Sequence, residues 1–288
     1  MRQFYLENSK GERISFMDKN HFLTSPTGLG FSMETTTIDT SKGFFSLADS
    51  KPSKGNIEGT IAFTDRANAY RDYRNLSKWM TSEPLLNLVY IPYGTEEYYA
   101  DVVLIRLNKE EKQNYGWLEC ETIFEVLTPW YSKQNISFDF EDGDTNALRF
   151  PNKFPARFGL SSPPTALRLN LDCDYNAFVK VTIAGLQNNP KITLVDNDTN
   201  KLIGSVEFDN LVIPQGSKLV YDTRPNEVGV WLINSDEKEN VLDKVHLTSD
   251  NSSFFAIPTH TDVILNLELD NGVQTGTNAT LYQYWKTR

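Results

Sequence analysis

Most of this chain alternates apolar and polar residues. FVKVTIAG (178–185), KITLV (191–195), LIGSVEF (202–208), KLVYD (218–222), VGVWLI (228–233) and DVILNLEL (262–269) all repeat with period two, and RLNLDCDY (168–175) and FFAIP (254–258) continue the pattern. That period puts successive side chains on opposite faces of a strand, so it commits the backbone to half-buried sheet and forbids a helical bundle. Turn-rich stretches (NNP, DNDTNK, PQG, RPNE, TSDNSS) separate the runs. Short strands with such punctuation fold as a sandwich or jelly roll. Residues 133–288 are therefore expected to form an all-β domain.

One segment departs from this pattern. In TDRANAYRDYRNLSKWMTSEP (64–84), Ala69, Tyr73, Leu76 and Met80 fall at i, i+4, i+7 and i+11. With Thr64/Asp65 as a cap and Pro84 as a stop, this predicts a helix over about 65–81. Its cations Arg71, Arg74 and Lys78 point away from the apolar stripe. They form either a solvated face or a salt-bridging interface. The strand-like runs NIEGTIAF, LLNLVYI, EYYADVVLIRLN and GWLECETIFEV surround the helix. Residues 1–132 thus read as an α+β domain, and the whole chain as mainly β.

Segment 34–55 is irregular, with few strand-forming runs, yet it carries Phe44, Phe45 and Leu47. A segment this long is either an arm that packs on another subunit or a hairpin lying on its own domain. At 127–133 the chain reads LTPWYSK. Pro129 stops the preceding strand, and Trp130 and Tyr131 are large apolar bodies with polar tips. A flexible linker would favour Gly and Ser instead. Pro129, Trp130 and Tyr131 are therefore placed at a junction between domains 1–132 and 133–288.

The search for chemistry is negative. Net charge is −10, and residues 1–132 hold 14 Lys/Arg against 18 Asp/Glu, so neither half offers the basic surface that nucleic acid needs. There is no zinc spacing around His21, His246 or His260, no P-loop and no nucleophile elbow. Asp196, Asp198, Asn200 and Glu207 match calcium-loop positions 1, 3, 5 and 12, but Lys201 stands where that loop needs Gly. A hairpin turn explains the same residues. EDGD (141–144) reads first as a turn; a glycosidase pair needs two carboxyls facing a cleft, which linear spacing does not certify. The N-terminal MRQFYLENSKGERISF has no apolar core for a signal peptide, and no run is long enough to cross a membrane. Cys120 and Cys173 alternate in register with apolar neighbours, as small buried side chains do, which fits folding in a reducing cytosol. No enzyme, metal or cofactor is expected.

PTGLGF (26–31), the helix DRANAYRDYRNLSKWM, FEVLTPWYSK (124–133), PKITLVDNDTNKLIG, IPQGSKLVYDT, FFAIPTHTDVILNLELDNG and ATLYQYWKTR follow one another in an order that covers most of the chain. In this order the sequence resembles the distal tail protein family of siphophages that infect Gram-positive bacteria. It departs from that family at Thr259-His260-Thr261, where a proline-glycine-type turn is expected. The resemblance implies a tail-tube-like N-terminal belt domain and a galectin-like C-terminal sandwich. It also implies a ring of six copies at the tail tip, between the tail tube protein and the tail-associated hub protein, with a mounting for receptor-binding proteins. Phe44, Phe45 and Leu47, then Arg71, Arg74 and Lys78, are the expected ring contacts. The alternative is a two-domain protein that binds host cell-wall polysaccharide. In that case Trp231, within VGVWLI, is either a sugar platform or a core residue.

Overall fold

The computed structural model describes residues 2–30, 32–41, 44–53, 55–112, 115–138, 166–235, 237–246 and 253–286. EDGD (141–144) lies outside the described residues. The chain divides into two compact units: Met1–Ser132 with Tyr284–Arg288, and Lys133–Gln283.

The first unit contains β1 (Gln3–Glu7), β2 (Arg13–Ser15), β3 (His21–Thr27), β4 (Met33–Ser41), β5 (Phe44–Pro52) and β6 (Asn56–Phe63). The helix α1 (Ala69–Met80) precedes β7 (Leu86–Ile91), β8 (Tyr98–Lys109), β9 (Leu118–Val126) and the start of β10 (Trp130–Ser137). All pairings are antiparallel. β2, β1, β7 and β8 follow one another, and β8 leads through β9 and β6 to β3. Alternation buries one row of β1 and of β9. Ile57, Ile61, Cys120 and Phe124 point inward from β6 and β9, joined by Phe4, Leu6 and Leu88.

The helix covers this core with Ala69, Leu76 and Met80, and the Tyr73 ring stands edge-on to Phe63 at 6.1 Å. It begins at Ala69 and not near 65, because Asp65 first closes a local turn. The Asp65 carboxylate accepts the N–H groups of Ala67 (3.0 Å) and Asn68 (3.3 Å). That side chain therefore serves the turn before the helix, as Asp does when it competes for nearby backbone.

The second unit contains the remainder of β10, then β11 (Ala166–Asn170), β12 (Tyr175–Ala184), β13 (Gln187–Asn188), β14 (Lys191–Asp196), β15 (Leu202–Phe208), β16 (Val212–Ile213) and β17 (Lys218–Asp222). It continues with β18 (Gly229–Asn234), β19 (Glu237–Asn240), β20 (Val245–His246), β21 (Asp262–Glu268) and most of β22 (Asn278–Trp285). One sheet runs β19-β18-β17-β12-β22 and the other β11-β21-β14-β15-β20. Val179, Val181 and Ile183 from the first sheet, and Ile192, Leu194 and Leu265 from the second, are buried. FFAIP is not a strand. It makes a single bridge, Ala177 with Ile257, because its rings are held by packing: Phe254 stacks on Tyr221 at 5.6 Å and Phe255 lies 5.9 Å from it.

Candidate functional site: an uncovered hairpin and an open strand edge

Segment 34–55 is a hairpin. Among the described residues β4 and β5 pair only with each other, from Met33 opposite Pro52 to Ser41 opposite Phe44. Two bulges, at Thr36/Thr37 and Asp39/Ser41, break the register. Opposed residues share a face, so Leu47 lies beside Thr37 and Phe45 beside Asp39, while Ile38 sits with Ser46 on the other face. Neither face is covered. Phe44 is 72% exposed, Phe45 69%, Leu47 63% and Ile38 57%. Large apolar groups gathered on an uncovered element mark a surface made to be covered.

A second unsatisfied feature lies on β8. Its first half, Tyr98–Val102, is flanked by β7, and Tyr131 of β10 pairs with Tyr99 on the other side. From Val102 to Lys109 it pairs with β9. Beyond Val102, β7 has ended, and among the described residues no strand is in register with the free side of Val103–Lys109. A bulge between Leu104 and Arg106 turns Ile105 outward, 56% exposed. Arg106 is drawn aside to Glu121 (3.3 Å), and the Lys109 ammonium stands 5.1 Å from the Tyr70 ring centre.

The helix cations are on the outer side. Arg71 meets Asp72 at 3.3 Å, and Arg74 and Lys78 are exposed. On the sheet face away from the core, Glu58, Glu119, Glu121 and Glu125 gather on β6 and β9. Trp130 and Tyr131 are buried within the first unit. Trp130 packs 5.7 Å from Tyr90, and Tyr131 stacks on Tyr99 at 5.7 Å and tilts against Tyr284 at 5.4 Å. The turn around Pro129 clasps Asp101. Leu127 N–H donates to the Asp101 carbonyl (2.8 Å), Asp101 N–H to Thr128 Oγ1 (2.9 Å), and Tyr131 O–H to the Asp101 carboxylate (2.8 Å).

In the second unit, Trp231 is half-buried on β18. Its ring lies over Gly229, where an added Cβ would come within 2.6 Å of it, and the Lys238 ammonium sits 4.1 Å from the ring centre. The calcium-like loop is a turn. The Asp196 carboxylate accepts N–H groups from Asp198 (3.0 Å) and Thr199 (2.8 Å), and the bonds to Thr199 hold its pKa below the ordinary carboxylate value. Among the described residues no three His, Cys, Asp or Glu side chains gather to hold a metal. Cys120 and Cys173 are both buried, and desolvation pushes the Cys120 thiol up to about 12.

The sequence pointed to Phe44, Phe45 and Leu47. It missed the β8 edge, because a strand's partners are set by distant residues. The one local signal was the length of β8, twelve residues beside a six-residue β7.

Residues 3–127 match the family model described as distal tail protein, N-terminal domain. The whole chain is similar in structure to a chain of the phage P2 baseplate in its activated conformation with Ca (TM-score 0.71, 15% identity, 100% of each chain covered). It is equally similar to one from the same baseplate with Sr (0.71, 15%, 100% of each). The SPP1 Dit protein, described as a paradigm of hub adsorption apparatus in Gram-positive infecting phages, matches with a TM-score of 0.56 at 7% identity over 98% of each chain. No curated protein matches.

Proposed function

From the match of residues 3–127 to the N-terminal domain of distal tail proteins we propose that the chain is a distal tail protein and that it builds a closed ring at the tip of a phage tail. It is a structural protein of the phage tail baseplate, a part of the virion. In the proposed ring, six copies join head to tail. One side of the ring meets the tail tube and the other the hub protein, and the second unit carries the rim on which receptor-binding proteins mount. The observation that carries this reading is the β4–β5 hairpin, whose Phe44, Phe45 and Leu47 are exposed and pair with no other strand among the described residues. A ring needs two different patches on each copy, and a projecting arm with a separate receptor surface meets that requirement. The cations Arg71, Arg74 and Lys78 are a second proposed contact, which guides encounter more than it adds affinity.

Light scattering coupled to size exclusion, followed by negative-stain imaging, tests the proposal. A particle of six 32.8-kDa copies with six-fold views is expected. A monomer at all concentrations, with no rings, would overturn it.

A further inference from the structure

We propose that β4 of a second copy of this chain fills the open edge of β8, Val103–Lys109, as an added strand. This rests on the ring reading and names the receptor for its arm. Both features are unfinished in the isolated chain. β8 pairs with β7 along its first half and with Tyr131 of β10 at Tyr99 on the other side, and among the described residues it is paired on one side in its second half. An edge left this way exposes a row of backbone N–H and C=O groups, which proteins guard with proline or with charges standing across it. Here there is no proline, the two cations turn aside to Glu121 and Tyr70, and the bulge presents Ile105.

The hairpin has the opposite need. A lone two-stranded ribbon is marginal in water and gains stability from a third strand. Its two outer edges are not equivalent. β5 carries Lys51 and Pro52, whereas β4 offers the β-branched run Thr35-Thr36-Thr37-Ile38 with no proline. The nine residues of β4 are long enough to cover Val103–Lys109. Pairing of this kind draws its affinity from main-chain hydrogen bonds and its selectivity from alternate side chains. Ile38 on the arm and Ile105 on the edge, both exposed, supply the apolar contact. Within one chain β4 and β8 are not paired, so each copy gives an arm and receives one.

The test is cross-linking between copies. Thr36→Cys and Ile105→Cys are made separately, mixed, and treated with a short bismaleimide. The native thiols are buried, Cys120 at 0% and Cys173 at 2% exposure, and do not compete. The control pairs Thr36→Cys with Tyr93→Cys, on a turn residue that is 74% exposed. Held side by side, the first pair should link at least about tenfold more than the control, because the local concentration is then millimolar. Amide exchange on the unmodified protein gives a second reading, with slowing at Met33–Ser41 and Val103–Lys109 on assembly. Rings that form without this cross-link, or without slowed exchange at both segments, overturn the strand proposal and leave the ring standing. Absence of any assembly overturns both.

Discussion

Phe45→Ser with Leu47→Ser separates what the hairpin does for folding from what it does for association. In the isolated chain Phe45 is 69% and Leu47 63% exposed, so removing their apolar atoms should change unfolding free energy by less than about 0.5 kcal/mol. In an assembly the same surface is covered. Full burial of such a side chain contributes about 1.5–3 kcal/mol, and about two-thirds of each is available, so one arm loses about 2–4 kcal/mol. That is a fall in association of roughly 30- to 1,000-fold. Sedimentation velocity across a dilution series measures it, with urea unfolding of the dissociated protein as the stability control. Unchanged dissociation would show that the apolar hairpin contacts no other copy. A large loss of stability in the single chain would show that the hairpin packs on its own unit.

Gly28→Ala should be strongly destabilising. Gly28 has φ +79°, and an added Cβ would lie 1.9 Å from the Asn56 carbonyl oxygen, so urea midpoints should fall well beyond the ordinary cost of about 1 kcal/mol for replacing such a glycine. Tyr131→Phe leaves the buried Asp101 carboxylate without its 2.8 Å donor and should cost about 1–3 kcal/mol in urea unfolding, while an unchanged midpoint would deny that bond a role. With Cys120 buried and its pKa up to about 12, and Cys173 buried, neither thiol should react with a disulfide reagent at pH 8 until denaturant is added. The hydrogen bond that His246 Nδ1 donates to the Asp209 carboxylate, at 2.7 Å, raises the His246 pKa. Its contribution to stability is therefore fully present below the unfolded histidine value and fades as pH rises through the raised folded value. NMR titration should place the midpoint above the ordinary histidine range, and Asp209→Asn should bring it down.

Period two exposed the sandwich because β12 and β21 bury alternate residues, Val179, Val181 and Ile183 among them. The helix was legible for the same reason, since Ala69, Leu76 and Met80 all face the core. The hairpin was not legible as strand. Its two bulges interrupt the count of two, and with neither face buried nothing selects apolar residues at alternate positions. Its apolar side chains could still be noticed, because Phe44, Phe45 and Leu47 stand out in a segment without a pattern. The edge of β8 was hidden for a different reason. Val103–Lys109 reads like any strand, and that β7 stops at Leu86, opposite Val102, appears only in three dimensions.

The first unit is assembled from both ends of the sequence, with Tyr284–Arg288 joining Met1–Ser132. Trp285 donates its indole N–H to Ser132 Oγ at 3.4 Å from a position 153 residues later. Translation therefore completes the second unit at Gln283 and supplies the first with Tyr284 at the very next codon. Tyr131 meets Tyr284 only after translation has passed that codon.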